Sequence, residues 1–316
     1  MGAGPASLPA VRRLLRPFGV RFDLEFDDAR VGRAADAALA RFPRDAGAVG
    51  NLALEVTTGV DQPGDPGWPK TSVEFDGSRL ELRCGSGSLV ADVTSGRATA
   101  CLPPSLLAIE DAVRMVIEGA FSALAINAGL LHAVHAALVV HRGRGLLLRG
   151  PSGAGKSTLT YAMVRAGSAV ASDDWSYAVA SAPPGRLWGY PWRLFLVPES
   201  LHRFPELVGT TAVLHPGADR LKIPVSPPVA LRRRSARVDA VVFLDPAPKL
   251  SLYSIGPVEA HERFWAPALP TERTGLPPAW VQELLERPTY VLRRGGDPHA
   301  AARLLQALAA GPDLAG

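Results

Sequence analysis

The sequence predicts an α/β fold whose core follows a β-rich, α+β N-terminal half. Up to Leu102, short segments of alternating apolar and polar residues are separated by glycine- and proline-containing turns, as in β-sheets. After Pro103 the apolar spacing becomes helical, and a strand, a glycine-rich loop and a helix then follow one another directly. With 316 residues, 47% of them hydrophobic, the chain suffices for two domains, predicted at residues 1–102 and 103–316.

The N-terminal half is expected to contain several strands and one helix. Asp76-Gly77 lies between two of the alternating segments and is a strong signal for a β-hairpin. An alanine-rich face predicts a helix over residues 29–41. The segments predicted as strands are residues 21–26, 51–57, 72–75, 79–83 and 88–93.

The second half begins after two prolines with a predicted long helix. Ser105 is expected to be its N-cap, with Glu110 and Asp111 in its early part. The apolar, β-branched residues 131–141, a glycine-containing turn and residues 146–149 then predict two antiparallel strands. Farther along, the pattern predicts a helix at 156–166, strands at 169–172 and 238–244, and a helix at 300–310.

Composition favours a cytoplasmic protein that binds anions. The formal net charge is +4, and arginine, which matches phosphate bidentately, carries most of the positive charge. Cys84 and Cys101 form no CxxC pattern, so neither a disulfide framework nor a cysteine zinc site is predicted. No apolar segment follows the early arginines, so a secretory signal is not expected.

Membranes and nucleic acids are not predicted partners. The apolar residues 121–140 approach the length of a membrane span, but Asn127, His132 and His135 interrupt them. Residues 232–234 are three consecutive arginines without interleaved aromatic residues, so they are expected to form a solvated or acid-binding face.

The strongest motif is G-x-x-x-x-G-K-[ST] at residues 150–157, between a predicted strand and a predicted helix. In this setting backbone N–H groups and the helix N-terminus bind phosphates, Lys156 reaches the β/γ oxygens, and Ser157 ligates Mg²⁺. Thr158 is expected to support the helix rather than the metal. The motif therefore predicts ATP with Mg²⁺, bound by Gly150, Ser152, Gly153, Ala154, Gly155, Lys156, Ser157 and Thr158.

The glycine motif alone does not determine the reaction. A carboxylate site elsewhere in the chain must supply a metal ligand and a proton acceptor, and two candidates exist. Asp173-Asp174 follows the strand predicted at 169–172, and Asp245 ends the apolar strand predicted at 238–244. Adjacent acids at a strand end are costly to bury unless a cation accompanies them, which favours Asp173-Asp174 beside Mg²⁺. Helix capping for the pair, and a plain strand-end turn for Asp245, are the structural alternatives.

Over residues 131–244 this order of features resembles the HPr kinase/phosphorylase family. In that family a histidine opens the strand before the phosphate loop, and an Asp-Asp pair follows the loop's helix. The resemblance implies a P-loop core like that of HPr kinases and PEP carboxykinases. It further implies His135 near the phosphates, Asp173 as general base toward the acceptor hydroxyl, and Asp174 with Ser157 on Mg²⁺. From its pattern alone, without the resemblance, a histidine in an apolar strand such as His135 is more often a buried structural residue than a catalytic one.

Two cationic residues complete the candidate site. Where HPr kinases carry Glu-x-Arg-Gly, this chain has Pro191-Trp192-Arg193-Leu194, which keeps only the arginine. Arg193 is expected to bind phosphate or the acceptor, with a carboxylate-paired or exposed arginine as the alternative. Lys222, in a segment similar to the family's basic loop, is expected to act on the transferred phosphate, with a solvated lysine as the alternative.

The resemblance implies a kinase that transfers the γ-phosphate of ATP to a hydroxyl, with a serine of a peptide or small protein as acceptor. Some relatives with a β-rich N-terminal half phosphorylate ribosomally made peptide precursors, including lasso peptide precursors. A homo-oligomer is also implied. Two alternatives stay open at this point: a nucleotide-binding regulatory module without phosphotransfer, and a kinase of a small-molecule alcohol.

Overall fold

The chain adopts a mixed α/β structure with several β-sheets, seen in a computed structural model that describes residues 10–39, 52–62, 71–180, 185–214 and 221–311. The described residues form two compact units. The first comes from Met1–Leu131 with Leu214–Arg220, and the second from His132–Val213 with Leu221–Gly316. The domain boundary predicted between residues 102 and 103 stays a prediction, since spatial grouping does not determine which segment folds independently.

The first unit contains one seven-stranded sheet. Its strands are β1 Val11–Leu15, β2 Phe22–Phe26, β3 Leu52–Thr58, β4 Thr71–Phe75, β5 Arg79–Cys84, β6 Gly87–Asp92 and β7 Arg97–Leu102. They lie in the order β1-β2-β3-β7-β6-β5-β4. The strand β3 is parallel to β2 and β7, and the other pairings are antiparallel. The five predicted strands are confirmed, and β1 and β7 add to them.

The predicted hairpin at Asp76-Gly77 joins β4 to β5. Gly77 has a φ of 99°, a backbone conformation that favours glycine. The Asp76 carboxylate accepts the backbone N–H groups of Ser78 and Arg79 at 2.9 and 2.7 Å. These bonds hold the turn, and the hairpin prediction is confirmed.

Three helices accompany this sheet: α1 Ala29–Leu39, α2 Pro104–Leu107 and α3 Glu110–Asn127. The predicted helix at 29–41 is confirmed as far as residue 39, and its last two residues lie outside the described part of the chain. Within the first unit, α3 packs against the residues at and just before β2. The Phe121 ring contacts the Phe18 and Phe22 rings edge to face, with centroids 5.8 and 5.3 Å apart.

The prediction that Ser105 caps one long helix is wrong. Pro103 is the N-cap of α2, and Pro104 occupies its first turn, where the fixed φ of proline suits a helix start. Ser105 therefore lies inside α2. The long helix α3 begins separately after Ile109, with Glu110 and Asp111 in its first turn, where acids favour the helix dipole.

The second unit is built from thirteen further strands and five α-helices among the described residues. The strands are β8 Leu131–Val134, β9 Ala136–His141, β10 Arg144–Arg149, β11 Ala169–Ser172, β12 Ser176–Val179, β13 Arg186–Trp188, β14 Leu194–Leu196, β15 Val213–Leu214, β16 Leu221–Val225, β17 Ser235–Arg237, β18 Ala240–Asp245, β19 Leu250–Ser254 and β20 Thr289–Arg294. The helices are α4 Lys156–Arg165, α5 Pro257–Trp265, α6 Pro270–Gly275, α7 Pro278–Leu285 and α8 Pro298–Ala310.

A six-stranded sheet in the order β11-β9-β10-β18-β20-β19 is the centre of this unit. The strands β10, β18 and β20 are parallel, so their carboxyl ends meet at one edge, and the pairings of β9 and β19 are antiparallel. Smaller sheets have the orders β17-β13-β12-β8 and β14-β16-β15. The predicted strands at 146–149, 169–172 and 238–244 and the helices at 156–166 and 300–310 are confirmed within two residues at each end.

Both faces of the six-stranded sheet are covered by helices. One apolar cluster joins β9 and β10 to α4 and α8, and a second cluster joins the opposite face to α5 and α7. Alternate residues of β10 supply each face: Leu146 and Leu148 point into the first cluster, and Leu147 points into the second. Burial on both faces explains why these strands read as continuous apolar segments in the sequence.

The apolar segment at 131–141, predicted as a single strand, divides at His135. Its first part, β8, belongs to the four-stranded sheet, and its second part, β9, belongs to the six-stranded sheet. The backbone N–H of His135 donates to Glu272 Oε1 at 3.0 Å rather than to a neighbouring strand. A side chain distant in sequence thus sets this break, and the alternation of apolar residues does not encode it.

The apolar stretch at 121–140 is partly α3 and partly β8 and β9. Within the described ranges, no helix has the length and apolar character needed to cross a membrane.

Candidate active site

The glycine loop, residues 150–155, connects β10 to α4 at the carboxyl edge of the six-stranded sheet. Gly153 and Gly155 have φ values of 83° and 91°, in the left-handed region that favours glycine. A Cβ at Gly150 would lie 3.0 Å from the Ala154 Cβ and 3.2 Å from the Leu244 carbonyl oxygen. A side chain at position 150 would therefore crowd Ala154 and the end of β18, and glycine allows the chain to turn closely here.

The helix α4 begins directly after the loop, with Gly155 as its N-cap. Glycine has no side chain that could accept the first N–H groups of the helix, so these donors face the loop and suit an anion. Ser152 is an exposed member of the loop, and Ala154 is buried. The Thr158 hydroxyl lies 3.2 Å from the buried Ser200 hydroxyl, and this contact connects α4 to the segment that contains Ser200.

Lys156 folds back over the glycine loop. Its Nζ donates to the carbonyl oxygens of Gly150 and Pro151 at 2.9 and 3.3 Å. Burial lowers the pKa of the ammonium, and the negative charges of Asp174 and Asp173 oppose that lowering. A cation held by carbonyl groups in this loop is available to a phosphate, which would offer it full negative charge.

Asp173 is a buried carboxylate at the end of β11, with 6% of its surface exposed. Its Oδ2 accepts the backbone N–H of Phe195 at 3.3 Å, and its Oδ1 has no hydrogen-bond partner among the described residues. Burial and the neighbouring Asp174 raise the pKa of Asp173 to about 7, against the opposing influence of Ser157, Phe195 and Lys222.

Asp174 is adjacent in sequence but far more exposed, with 57% of its side chain accessible. Its Oδ1 lies 3.0 Å from His135 Nε2. Partial loss of water around the carboxylate would by itself raise the pKa of Asp174, but the hydrogen bond and charge of His135, with the charges of Lys156 and Lys222, lower it overall. The two carboxylates therefore differ in protonation, with Asp174 ionised where Asp173 still holds a proton.

His135 is fixed from both its backbone and its ring. Besides the bond to Glu272, its ring lies beside Trp175, with centroids 5.4 Å apart, and only 12% of its side chain is exposed. The ring orientation that reaches Asp174 is thus imposed by neighbours on two sides. The structure places His135 against the carboxylate pair.

A buried ion pair behind the glycine loop was not apparent from the sequence. Arg149, the last residue of β10, donates from Nη1 to Glu272 Oε1 at 2.7 Å, and both side chains are at most 1% exposed. The Nε and Nη2 atoms donate to the Phe264 carbonyl at 2.8 and 2.6 Å. Burial lowers the pKa of Arg149, and Glu272 opposes this. The same Glu272 oxygen accepts the His135 N–H, so the pair links the loop strand to His135.

An arginine that ends an apolar strand directly before Gly150 was the available signal for this pair, since a charge in a buried strand requires a partner. The sequence offers no comparable signal for Glu272, which lies in the short helix α6.

Lys222 and Arg193 lie on the small three-stranded sheet and the turn before it. The strand β16 carries Lys222 and pairs with β14, where Phe195 donates to Asp173. The charge of Lys222 lowers the pKa values of both Asp173 and Asp174, so the structure brings it to the pair. Arg193 Nη1 donates to the Ser226 hydroxyl at 2.7 Å. Arg220 is the first residue of the segment with Lys222 that resembles the family's basic loop, and it lies outside the described residues.

Asp245 lies on the other side of the glycine loop from Asp173, because β18 and β11 flank the β9-β10 pair on opposite sides. Its Oδ2 is 3.8 Å from Arg293 Nε, on the adjacent strand. An arginine thus already lies beside this carboxylate. Asp173 and Asp174 are the acids placed with Lys156 and Lys222.

The residues present fit Mg²⁺ held together with a nucleotide. Mg²⁺ prefers oxygen ligands and is commonly bound by one or two protein groups together with phosphates and water. Ser157 and the two carboxylates supply such oxygens, and Asp173 Oδ1 is a buried acceptor without a donor among the described residues. No group of three or more His, Cys, Asp or Glu residues suited to a metal occurs in the described ranges, so a cage made only of such side chains is not seen there.

No protein-family model matches the chain, and no curated protein matches it. Among solved structures, it is similar to the HPr(Ser) kinase/phosphatase from Coxiella burnetii, with 14% identity and a TM-score of 0.29. That similarity covers 56% of this chain and 87% of the other. At this level it does not establish membership of a family.

Proposed function

We propose that this protein is an ATP- and Mg²⁺-dependent kinase that phosphorylates a hydroxyl group, on a P-loop core of the HPr kinase/PEP carboxykinase type. The observation that carries the proposal is the buried Asp173 carboxylate. One of its oxygens has no partner among the described residues, while Ser157 and Lys222 both act on its pKa. A buried acceptor close to Ser157, in the first turn of the helix that follows the glycine loop, is well suited to take a proton from an attacking hydroxyl.

Each nearby residue then has a role in positioning or charge stabilisation. The glycine loop and Lys156 bind the phosphates, and Ser157 and Asp174 would hold Mg²⁺, which supplies charge neutralisation when bound. His135 orients Asp174 and, with Lys156 and Lys222, keeps it ionised. Lys222 and Arg193 are proposed to bind the transferred phosphate or the acceptor.

In the reaction, Asp173 takes the proton of the acceptor hydroxyl as its oxygen attacks the γ-phosphorus of ATP. An oxygen–phosphorus bond forms, the bond from the γ-phosphorus to the β,γ-bridging oxygen breaks, and ADP leaves. The acceptor class follows from the sequence resemblance: a serine of a peptide or small protein, such as a ribosomal peptide precursor.

The test compares two aspartates at the same sheet edge. ADP formation is measured with Mg²⁺-ATP and serine-containing peptides for the wild type, Asp173→Asn and Asp245→Asn. We expect acceptor-dependent ADP formation that Asp173→Asn lowers by about a hundredfold or more and Asp245→Asn largely retains. ATP binding without transfer, unchanged by Asp173→Asn, would instead indicate a regulatory nucleotide-binding module.

A further inference from the structure

The two flanks of the glycine loop carry opposite charges. On one flank, β11 lies beyond β9 and leads to Asp173 and Asp174. On the other flank, β20 lies beyond β18 and ends in Arg293 and Arg294. With strands about 4.8 Å apart, each flank is about 10 Å from the loop strand β10. An extended ligand across the loop would therefore meet acids at one end and the Arg294 guanidinium at the other.

Arg294 packs directly against the glycine loop. A Cβ built on Gly155 would lie 3.0 Å from Arg294 Cζ and Nε and 3.1 Å from Nη1. The guanidinium thus occupies the space that a side chain at position 155 would need, one residue before Lys156. Its Nε is buried and has no hydrogen-bond partner among the described residues. Burying a charged N–H donor without an acceptor costs free energy, unless a bound ligand supplies that acceptor.

A second guanidinium lies beside the first. Arg203 Nη1 donates to the carbonyl oxygen of Gly296, two residues beyond Arg294. Burial lowers the pKa of Arg294, and repulsion by Arg203 lowers it further. No acidic side chain pairs with either arginine in the described part of the chain. Two like charges held together without a carboxylate favour the binding of an anion.

The adjacent Arg293 provides an internal contrast. Its side chain is 53% exposed, lies 3.8 Å from Asp245 and stacks over the Tyr253 ring at 5.7 Å. Side chains alternate along a strand, so Arg293 and Arg294 point to opposite faces of β20. Arg293 already has both a carboxylate and an aromatic partner, and Arg294 has neither within the described ranges.

We propose that Arg294 binds a phosphate of the nucleotide on the flank of the glycine loop opposite Asp173. This assignment rests on the proposed kinase function and sets the direction of the nucleotide. The transferred phosphate lies toward Asp173 and Asp174, and the phosphates that stay with the nucleoside lie toward β20. Arginine suits this role because its planar donors match phosphate oxygens bidentately.

The test measures binding by titration calorimetry with two ligands, Mg²⁺-ATP and inorganic triphosphate. Arg294→Ala is expected to weaken both by about tenfold or more, because a charge-assisted hydrogen bond to phosphate is lost. Arg294→Lys should lose less, since it keeps the charge but not the planar donor pair. The control Arg293→Ala should stay within about twofold of the wild type, because that side chain points away from the loop.

Each other outcome has a distinct meaning. If the wild type binds neither ligand, the proposed function itself fails. If the wild type binds ATP and Arg294→Ala binds it equally well, the assignment of Arg294 is overturned while the kinase proposal survives. If only ATP binding weakens and triphosphate binding does not, Arg294 contacts the nucleoside, and its assignment to phosphate is wrong.

Discussion

At the scale of single residues, the adjacent Asp173 and Asp174 illustrate how surroundings give two identical side chains different properties. Asp173 is buried and its pKa is about 7, whereas the pKa of Asp174 is lowered by His135 and two lysines. A single step along the chain separates a proton acceptor from a stable anion. This difference is what the proposed division between general base and metal ligand requires.

The burial of Asp173 should reduce stability in the protein without nucleotide or metal. Its folded-state pKa lies above the ordinary value, so the folded protein binds more protons than the unfolded chain between about pH 4 and 7. The contribution of Asp173 to the free energy of unfolding is therefore most favourable at low pH, and it is lost as pH rises through about 7. Asp173→Asn should stabilise the protein by a few kcal/mol near pH 8 and by little near pH 4.

Urea unfolding of both proteins at the two pH values measures this effect. Asp239→Asn, at a more exposed aspartate in the same unit, serves as the control and should show no gain of that size. Equal stability of Asp173→Asn and the wild type at the higher pH would contradict the burial of an ionised Asp173.

His135 should act on the metal through Asp174. Removing the ring with His135→Ala deletes the 3.0 Å contact and raises the pKa of the carboxylate. We expect the Mg²⁺ concentration for half-maximal transfer to rise about tenfold or more, with partial recovery of the rate at high Mg²⁺. His141→Ala, in the same apolar segment but bonded to Ser168, should leave the Mg²⁺ dependence unchanged. An unchanged Mg²⁺ dependence in His135→Ala would exclude this role.

At the scale of elements, the Arg149–Glu272 pair joins the end of β10 to α6 and to the break between β8 and β9. Glu272 accepts N–H groups from Arg149, His135 and Leu269. Because the pair is buried, it contributes more to fixing the positions of these elements than to the net free energy of unfolding. It holds the strand before the glycine loop in register with His135, and so links the fold to the site.

Glu272→Ala should destabilise the second unit by about 3–5 kcal/mol, because it leaves the Arg149 charge buried and unpaired. The double variant Arg149→Met with Glu272→Leu should recover much of that loss, since neither charge remains. Unfolding in urea gives both values. Glu259→Ala, which breaks the exposed pair with Arg263 on α5, is the matched control and should cost less than about 1 kcal/mol. A small cost for Glu272→Ala would contradict the buried pair.

At the scale of the whole molecule, part of the site could be predicted because its signals are local. The glycine loop, the strand and helix beside it, and Asp173-Asp174 lie within one short stretch, where apolar alternation and motif spacing are informative. The ion pair could not be predicted, because Arg149 and Glu272 are 123 residues apart and meet only through the packing of α5 and α6. Arg294 was missed for the same reason, since β20 reaches the loop only through the sheet order.

Nucleotide binding should also be visible in the unfolding of the molecule. A ligand present at about a hundred times its Kd that binds only the folded state stabilises it by about 2.7 kcal/mol. For a chain of this size that corresponds to about 4 °C in Tm. We expect this shift with Mg²⁺-ATP in the wild type and its loss in Lys156→Ala. Asp173→Asn should retain it, because that residue acts in transfer. A shift that persists in Lys156→Ala would place the nucleotide elsewhere.

The proposed activity is phosphoryl transfer with Asp173 as the base. Its most direct test follows phosphate incorporation into a serine-containing peptide by mass spectrometry, with Mg²⁺-ATP and either wild type or Asp173→Asn. We expect the peptide to gain one phosphoryl group with the wild type and to stay unmodified with Asp173→Asn, although both proteins bind ATP. Equal incorporation by both proteins would show that Asp173 is not the base.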